Sequence, residues 1–188
     1  MNFEFLSDPA GFGLSEGWLQ VAFSSPYWQI LLAGLFNTLK VALPALLLST
    51  VLGLFIGLGQ LAQHPLLKGL CRGYIHLFRN VPLLLQLLAI YFAITQFLPI
   101  ASQAWSLGDH VFLSKSGLAF PTFSEAPVRG RFSIEGGWAL SPEYLAVLLA
   151  LVVYTAAFVA EIVRAGVQAV RPGMRQGALA LGLNNAQT

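Results

Sequence analysis

The chain has 188 residues, of which 56% are apolar and only 10% are Asp, Glu, Lys or Arg, with a formal charge of +2 and a mean hydropathy of +0.71. Soluble domains carry roughly 25% charged residues, so this composition excludes a soluble domain, and the small net charge leaves no electrostatic footprint for nucleic acid. The single cysteine, Cys71, excludes an internal disulfide.

Residues 1–26 carry Glu4, Asp8 and Glu16 and no Lys or Arg. The positive n-region of a cleavable leader is therefore missing, and the segment reads as an outer tail ahead of a first span that directs insertion. Residues 27–40 are apolar, but one helix over 27–61 would be about 52 Å long against roughly 30 Å of hydrocarbon. Lys40 and Pro44 mark where a bend is expected, with 27–40 as an interfacial helix. Ser25-Pro26 reads as an N-cap followed by proline at the first helical position, and Ser141-Pro142 repeats the pattern ahead of the last apolar run.

The membrane domain is expected over 41–163, with spans at 41–61, 81–100 and 144–163, each a stretch of about 20 residues suited to cross the bilayer. In the first, Gly53 and Gly57 form a GxxxG, which lets a second helix approach closely. In the second, Gln86 and Gln96 are polar groups at membrane depth, read as interhelical hydrogen-bond partners or path-lining residues. A long outer loop, 101–143, mixes bases with acids. In the third span Glu161 carries a carboxylate that would cost roughly 2.5–3.5 kcal/mol at the bilayer centre. Arg164 lies one turn on, so the two form a candidate intramembrane ion pair or a charged lining of a cavity.

Sidedness follows from the bases. Lys68, Arg72 and Arg79 separate the first two spans without an acid, and Arg164, Arg171 and Arg175 follow the third. The positive-inside rule places both clusters in the cytoplasm and the N-terminus outside. Segment 164–188 is then cytoplasmic. Pro172 and Gly173 stop the third helix, and Met174, Ala178 and Leu181 recur at i, i+4 and i+7 as one stripe of a short helix that Gly182 ends. No phosphate loop, HExxH or GxSxG occurs, and His64, His76 and His110 have no metal-site spacing. No catalytic residue, metal site or cofactor is expected.

Three blocks resemble the membrane-spanning permease subunits of bacterial ABC importers for polar amino acids. GLFNTLKVALPALLLSTVLGLFIGL (Gly34 to Leu58) is similar to their first span, and YIHLFRNVPLLLQLLAIYF (Tyr74 to Phe92) to the arginine-plus-proline start of their second. AAFVAEIVRAGVQAVRPGMRQGALALGL (Ala156 to Leu183) resembles their third span running into the cytoplasmic EAA loop. The family pattern, Glu-Ala-Ala, three residues and Gly, falls here on Gln176, Gly177, Ala178 and Gly182. Gln176 replaces the acid and Gly177 the first alanine, which removes a charge and weakens the helix by about 1 kcal/mol. The length of 101–143 looks most like the permeases of general L-amino acid importers.

The resemblance implies an all-α polytopic bundle of about five spans, of which three are present and the C-terminal ones missing, so that the sequence reads as a fragment. It implies an inner-membrane, multi-pass permease, without a nucleotide site, that forms part of the translocation path. Its partners would be a cytoplasmic ABC ATPase contacting Met174, Gln176, Gly177, Ala178, Leu181 and Gly182, a second permease subunit in a homo- or heterodimer, and a periplasmic solute-binding protein. Two alternatives stay open: a structural membrane subunit that transports nothing, and an ion-driven secondary transporter, which the shortage of intramembrane acids disfavours.

Overall fold

The computed structural model describes residues 3–14, 21–108, 110–122, 125–130 and 133–184. Glu16, Asp109, Arg131 and the last four residues of the expected coupling segment thus lie outside the described residues. Among the described residues five α-helices follow in chain order: α1 (Tyr27–Gln60), α2 (Pro65–Asn80), α3 (Leu83–Phe92), α4 (Pro142–Gln168) and α5 (Pro172–Ala180). The chain divides into two units, 1–46 and 47–188.

In the first unit the N-terminal segment is more than a tail. It folds back on the start of α1 through backbone bonds from Ala10 N–H to Ser25 O (3.0 Å) and from Tyr27 N–H to Asp8 O (3.2 Å). Val21, Ile30 and Ala33 form a small core with Ala10 and Leu14. Helix α1 starts one residue later than Ser25-Pro26 suggests, with the Pro26 carbonyl accepting from Gln29 and Ile30. Helix α1 is one run of 34 residues that passes through Lys40 and carries Pro44 inside it. Proline removes one helical hydrogen bond, whereas unwinding in lipid would strand several backbone groups, so the helix continues through it.

In the second unit α4 is the element against which the others pack. Ile56 of α1 and Tyr74, Ile75 and Phe78 of α2 meet Ala157 and Ala160 of α4. Ile90, Tyr91 and Ile94 meet Leu145 and Ala146. The Ser141-Pro142 reading holds: α4 begins at Pro142 and the Ser141 hydroxyl accepts from Tyr144 N–H at 3.1 Å. The segment between the first two expected spans is not a loop but helix α2, which the sequence reading did not anticipate. It meets α3, extended by a π turn over Ala93–Phe97, at 103°. Val81 and Pro82 are both extended at that corner, as the restriction on a residue preceding proline requires. Helices α1 and α4 are each long and apolar enough to cross a membrane, and α2 with α3 makes a third crossing if the bent pair is one broken span.

The helical class stands with an addition, since segment 101–143 is built of short strands instead of irregular loop. Strands β1 (Trp105–Leu107), β2 (Val111–Ser114), β3 (Gly117–Phe120) and β6 (Trp138–Leu140) form an antiparallel sheet in the order β1-β2-β3-β6, and β4 (Val128–Arg129) pairs with β5 (Ile134–Glu135). Phe112 and Ala119 face each other on one side and are buried with Ala104 and Ile134. Gly117 must be glycine: its φ is +104° and a Cβ would collide with the Leu140 carbonyl oxygen on β6.

Candidate functional site

The expected helix-packing glycines do what the GxxxG spacing suggests. A Cβ at Gly53 would lie 2.6 Å from Val159 Cβ and 2.9 Å from Ala156 O, and one at Gly57 would lie 2.8 Å from both Ala160 O and Val163 Cβ. The two glycines therefore let α1 lie on the backbone of α4. Across that seam Ala156, Ala157 and Ala160 are completely buried.

Gln86 and Gln96 part company. Gln86 is buried, and its Nε2 donates to Phe78 O at 2.8 Å and to Val81 O at 2.7 Å. Both are carbonyls that the end of α2 leaves without helical partners, so one side-chain amide caps α2 from inside α3 and holds the corner. Its Oε1 is buried without a partner among the described residues. Gln96 is exposed in the π turn at the far end of α3. One turn before Phe78 the Tyr74 hydroxyl donates to Val153 O of α4 at 2.7 Å.

Glu161 and Arg164 do pair, with Arg164 Nη2 2.9 Å from Glu161 Oε2, while Arg164 Nη1 donates to Gln168 Oε1 at 2.8 Å. The pair borders an open cavity of about 600 Å³ at the junction of α1, α2 and α4, where Gln60, Arg72, His76 and Arg79 join it. Arg79 places its guanidinium 5.1 Å from the centre of the Phe158 ring, a cation–π contact. Gln60 is buried, and its Nε2 makes no hydrogen bond among the described residues. The cavity is thus lined by one carboxylate, three guanidinium groups, a histidine and the two amides of Gln60 and Asn80, which makes it cation-rich and polar.

Sequence reasoning used Arg72 and Arg79 only as markers of sidedness and missed the cavity. The signal was present, because Arg72, His76 and Arg79 stand at i, i+4 and i+7, one face of a helix.

Helix α5 carries the expected stripe. Met174 and Leu181 are exposed and Ala178 half-buried; Gln176 and Gly177 are exposed between them. The helix ends at Ala180, with Leu181 as its cap and Gly182 at φ +88°. Leu183 N–H bonds to Ala178 O and Gly182 N–H to Leu179 O, the paired bonds of a Schellman cap, which needs the left-handed residue that glycine supplies. No atom lies within 4 Å of where a Cβ at Gly177 or Gly182 would sit, so this face is open. Among the described residues no group of three His, Cys, Asp or Glu could hold a metal ion.

Comparison with known proteins places these features. The chain is 33% identical over its whole length to YhdX of Escherichia coli (strain K12), described as an amino-acid ABC transporter permease, of which it spans 64%. It is 29% identical over 97% of its length to AapQ of Rhizobium johnstonii, a general L-amino acid transport system permease protein, of which it spans 62%. It thus covers somewhat less than two thirds of these relatives. Among solved structures it resembles an amino acid ABC transporter crystallised with histidines, with a TM-score of 0.57 and 29% identity over 85% of this chain and 56% of that one. The family model of binding-protein-dependent transport system inner membrane components matches residues 49–188, the stretch that holds the α1–α4 seam, the α2–α3 corner and α5, and the chain belongs to that family.

Proposed function

We propose that this chain is, or is part of, a permease subunit of an amino-acid ABC importer. The observation that carries the reading is the family match over 49–188, which includes the third span and the segment after it, joined to relatives that are amino-acid permeases. In this reading the subunit lines part of a path across the inner membrane and hydrolyses nothing itself. A separate cytoplasmic ATPase supplies the energy, a second permease subunit completes the path, and a solute-binding protein delivers the amino acid from outside.

Sidedness and coupling belong to the same proposal. The N-terminus lies outside, and α2, the cavity and α5 lie at the cytoplasmic end, because Lys68, Arg72, Arg79, Arg164 and Arg171 gather there. The ATPase takes the exposed face of α5, with Met174, Ala178 and Leu181 as the apolar contact and Gln176, Gly177 and Gly182 allowing close backbone approach. Gly182→Val tests this directly. Beyond its chain neighbours, a Cβ there meets no atom of the described residues within 4 Å, so the substitution acts through φ, at a cost of about 1–2 kcal/mol to keep a β-branched residue left-handed. With the substitution made in a complete permease, we expect membrane level unchanged while the ATPase no longer co-purifies and uptake is lost. Full uptake and full ATPase retention in the mutant would leave α5 as a linker and remove the coupling assignment.

A further inference from the structure

One face of the sheet in segment 101–143 is apolar throughout, and part of it is open. Register places Trp105, Leu113, Leu118 and Leu140 in one row across the four strands. Two residues along each strand, on the same face, come Leu107, Val111, Phe120 and Trp138. No position of either row is polar. Part of the first row is covered, since Leu118 and Leu140 pack on Ile94, Leu145 and Ala146 at the ends of the π turn and α4. Val111, Leu113 and Phe120 are half-buried, and three positions are open: Leu107 is 82% exposed, Trp105 60% and Trp138 57%. Phe120 and Trp138 meet edge to face at 6.0 Å and, with Pro121 and Thr122, border an apolar groove of about 430 Å³.

We propose that this face lies in the headgroup region of the bilayer leaflet next to the outer ends of α3 and α4, with Trp105 and Trp138 as its anchors. Three observations favour lipid over a protein partner. The face is continuous with packed helix ends that belong to the membrane, because Leu140 is separated from α4 by Ser141 alone. Trp138 lies four residues before Pro142, a reach of at most about 13 Å at ~3.3 Å per residue, and the interfacial layer on each side of the hydrocarbon is about 5–8 Å thick. A transient protein interface carries about one hydrogen bond per 100–200 Å² and a polar rim, whereas this face offers two rows of hydrocarbon and aromatic side chains with indole N–H groups at its margin, the chemistry of an aromatic belt. On the other side of the sheet Phe112 and Ala119 are covered by Ala104 and Ile134, and that face also carries Ser106 and Ser114.

The test uses the full chain reconstituted in phospholipid vesicles, with Trp18→Phe and Trp28→Phe leaving Trp105 and Trp138 as reporters. Two further chains keep one of these each, and circular dichroism checks that all three retain the parent helix content. Phospholipids brominated near the top of the acyl chains should cause about a twofold loss of emission from each reporter relative to unbrominated vesicles, as expected for interfacial indoles. Emission unchanged by bromine overturns the proposal. In that case strong quenching by aqueous iodide assigns the face to solvent, and protection from both quenchers assigns it to another protein or a second copy of this chain.

Discussion

Helix α4 meets its neighbours in two different ways. Toward α1 the helix opposite contributes no side chain at two points: Gly53 and Gly57 bring its backbone within reach of Val159, Val163 and the carbonyls of Ala156 and Ala160. Toward α2 and α3 apolar side chains fill the contact and polar groups fix it, with Tyr74 bonded to Val153 O of α4 and Gln86 of α3 bonded to Phe78 O and Val81 O at the end of α2. The contrast shows two solutions to one problem. Lipid offers no hydrophobic drive to bring helices together, so association rests either on close van der Waals contact between small residues or on hydrogen bonds. The seam of glycines is rigid and intolerant. The hydrogen-bonded side gathers the corner, the cavity and the charges, where a polar group can be exchanged at moderate cost.

The two sides should therefore respond differently to substitution. The largest effect is expected from Gly53→Val or Gly57→Val, because each new Cβ falls within 3 Å of both a valine side chain and a carbonyl oxygen of α4. Overpacking of this kind costs about 3 kcal/mol at its upper range. Unfolding equilibria in detergent should report that loss for each variant, and Gly53→Ala should not rescue it. Wild-type stability in either valine variant would mean that the two helices do not meet there.

On the other side the expected losses are smaller and graded. Gln86→Leu removes the donor for two buried carbonyls and should cost about 2 kcal/mol, with amide hydrogen exchange rising over residues 78–86 and not in α4. Gln86→Glu, ionised, has no donor for these carbonyls and should be no better. Tyr74→Phe keeps the ring against Phe78, 4.5 Å between centres, and removes only the hydroxyl. It should cost about 1 kcal/mol, and a loss as large as that of Gln86→Leu would mean that the ring has also lost its packing.

The same contrast explains what could be read from the sequence. The glycine side of the α1–α4 seam was legible because a GxxxG spacing is local, but nothing local says that α4 is the helix that lies on it. The α2–α3 corner was half legible. Pro82 announces a break, yet nothing local says that Gln86 will reach back to Phe78, and the bases of α2 read first as a topology signal, although Arg72, His76 and Arg79 share a helix face. Pro44 does not end α1, which continues to Gln60, since unwinding in lipid would strand more backbone groups than the one bond a proline removes. The sheet was the least legible. Its strands are two to four residues long, and Gly117 makes sense only beside Leu140, far along the chain. The α5 stripe was readable from Met174, Ala178 and Leu181, while the form of its ending depends on the left-handed Gly182.

The smallest expected effect lies at the cavity, where Glu161 and Arg164 meet at 2.9 Å with 26% and 33% of their side-chain surfaces exposed. Two ions sealed from water would each be costly to strand, and removing one would do more harm than removing both. Partial exposure moderates this, since water reaches both groups, and Gln168 gives Arg164 a second acceptor. Gln60 and Arg79 line the same cavity as Glu161, so a carboxylate left without Arg164 would still have donors nearby. A double-mutant cycle separates these contributions. Glu161→Gln and Arg164→Gln should each lower the level of inserted protein, and the double variant should lose less than the sum, with a coupling of about 0.5 kcal/mol, the scale of pairs that water can reach. Strict additivity would mean that the ion pair holds nothing together. A coupling near that of the valine variants at Gly53 would put the pair in a dry site and make the cavity as rigid as the glycine seam, which is the outcome the contrast between the two sides of α4 argues against.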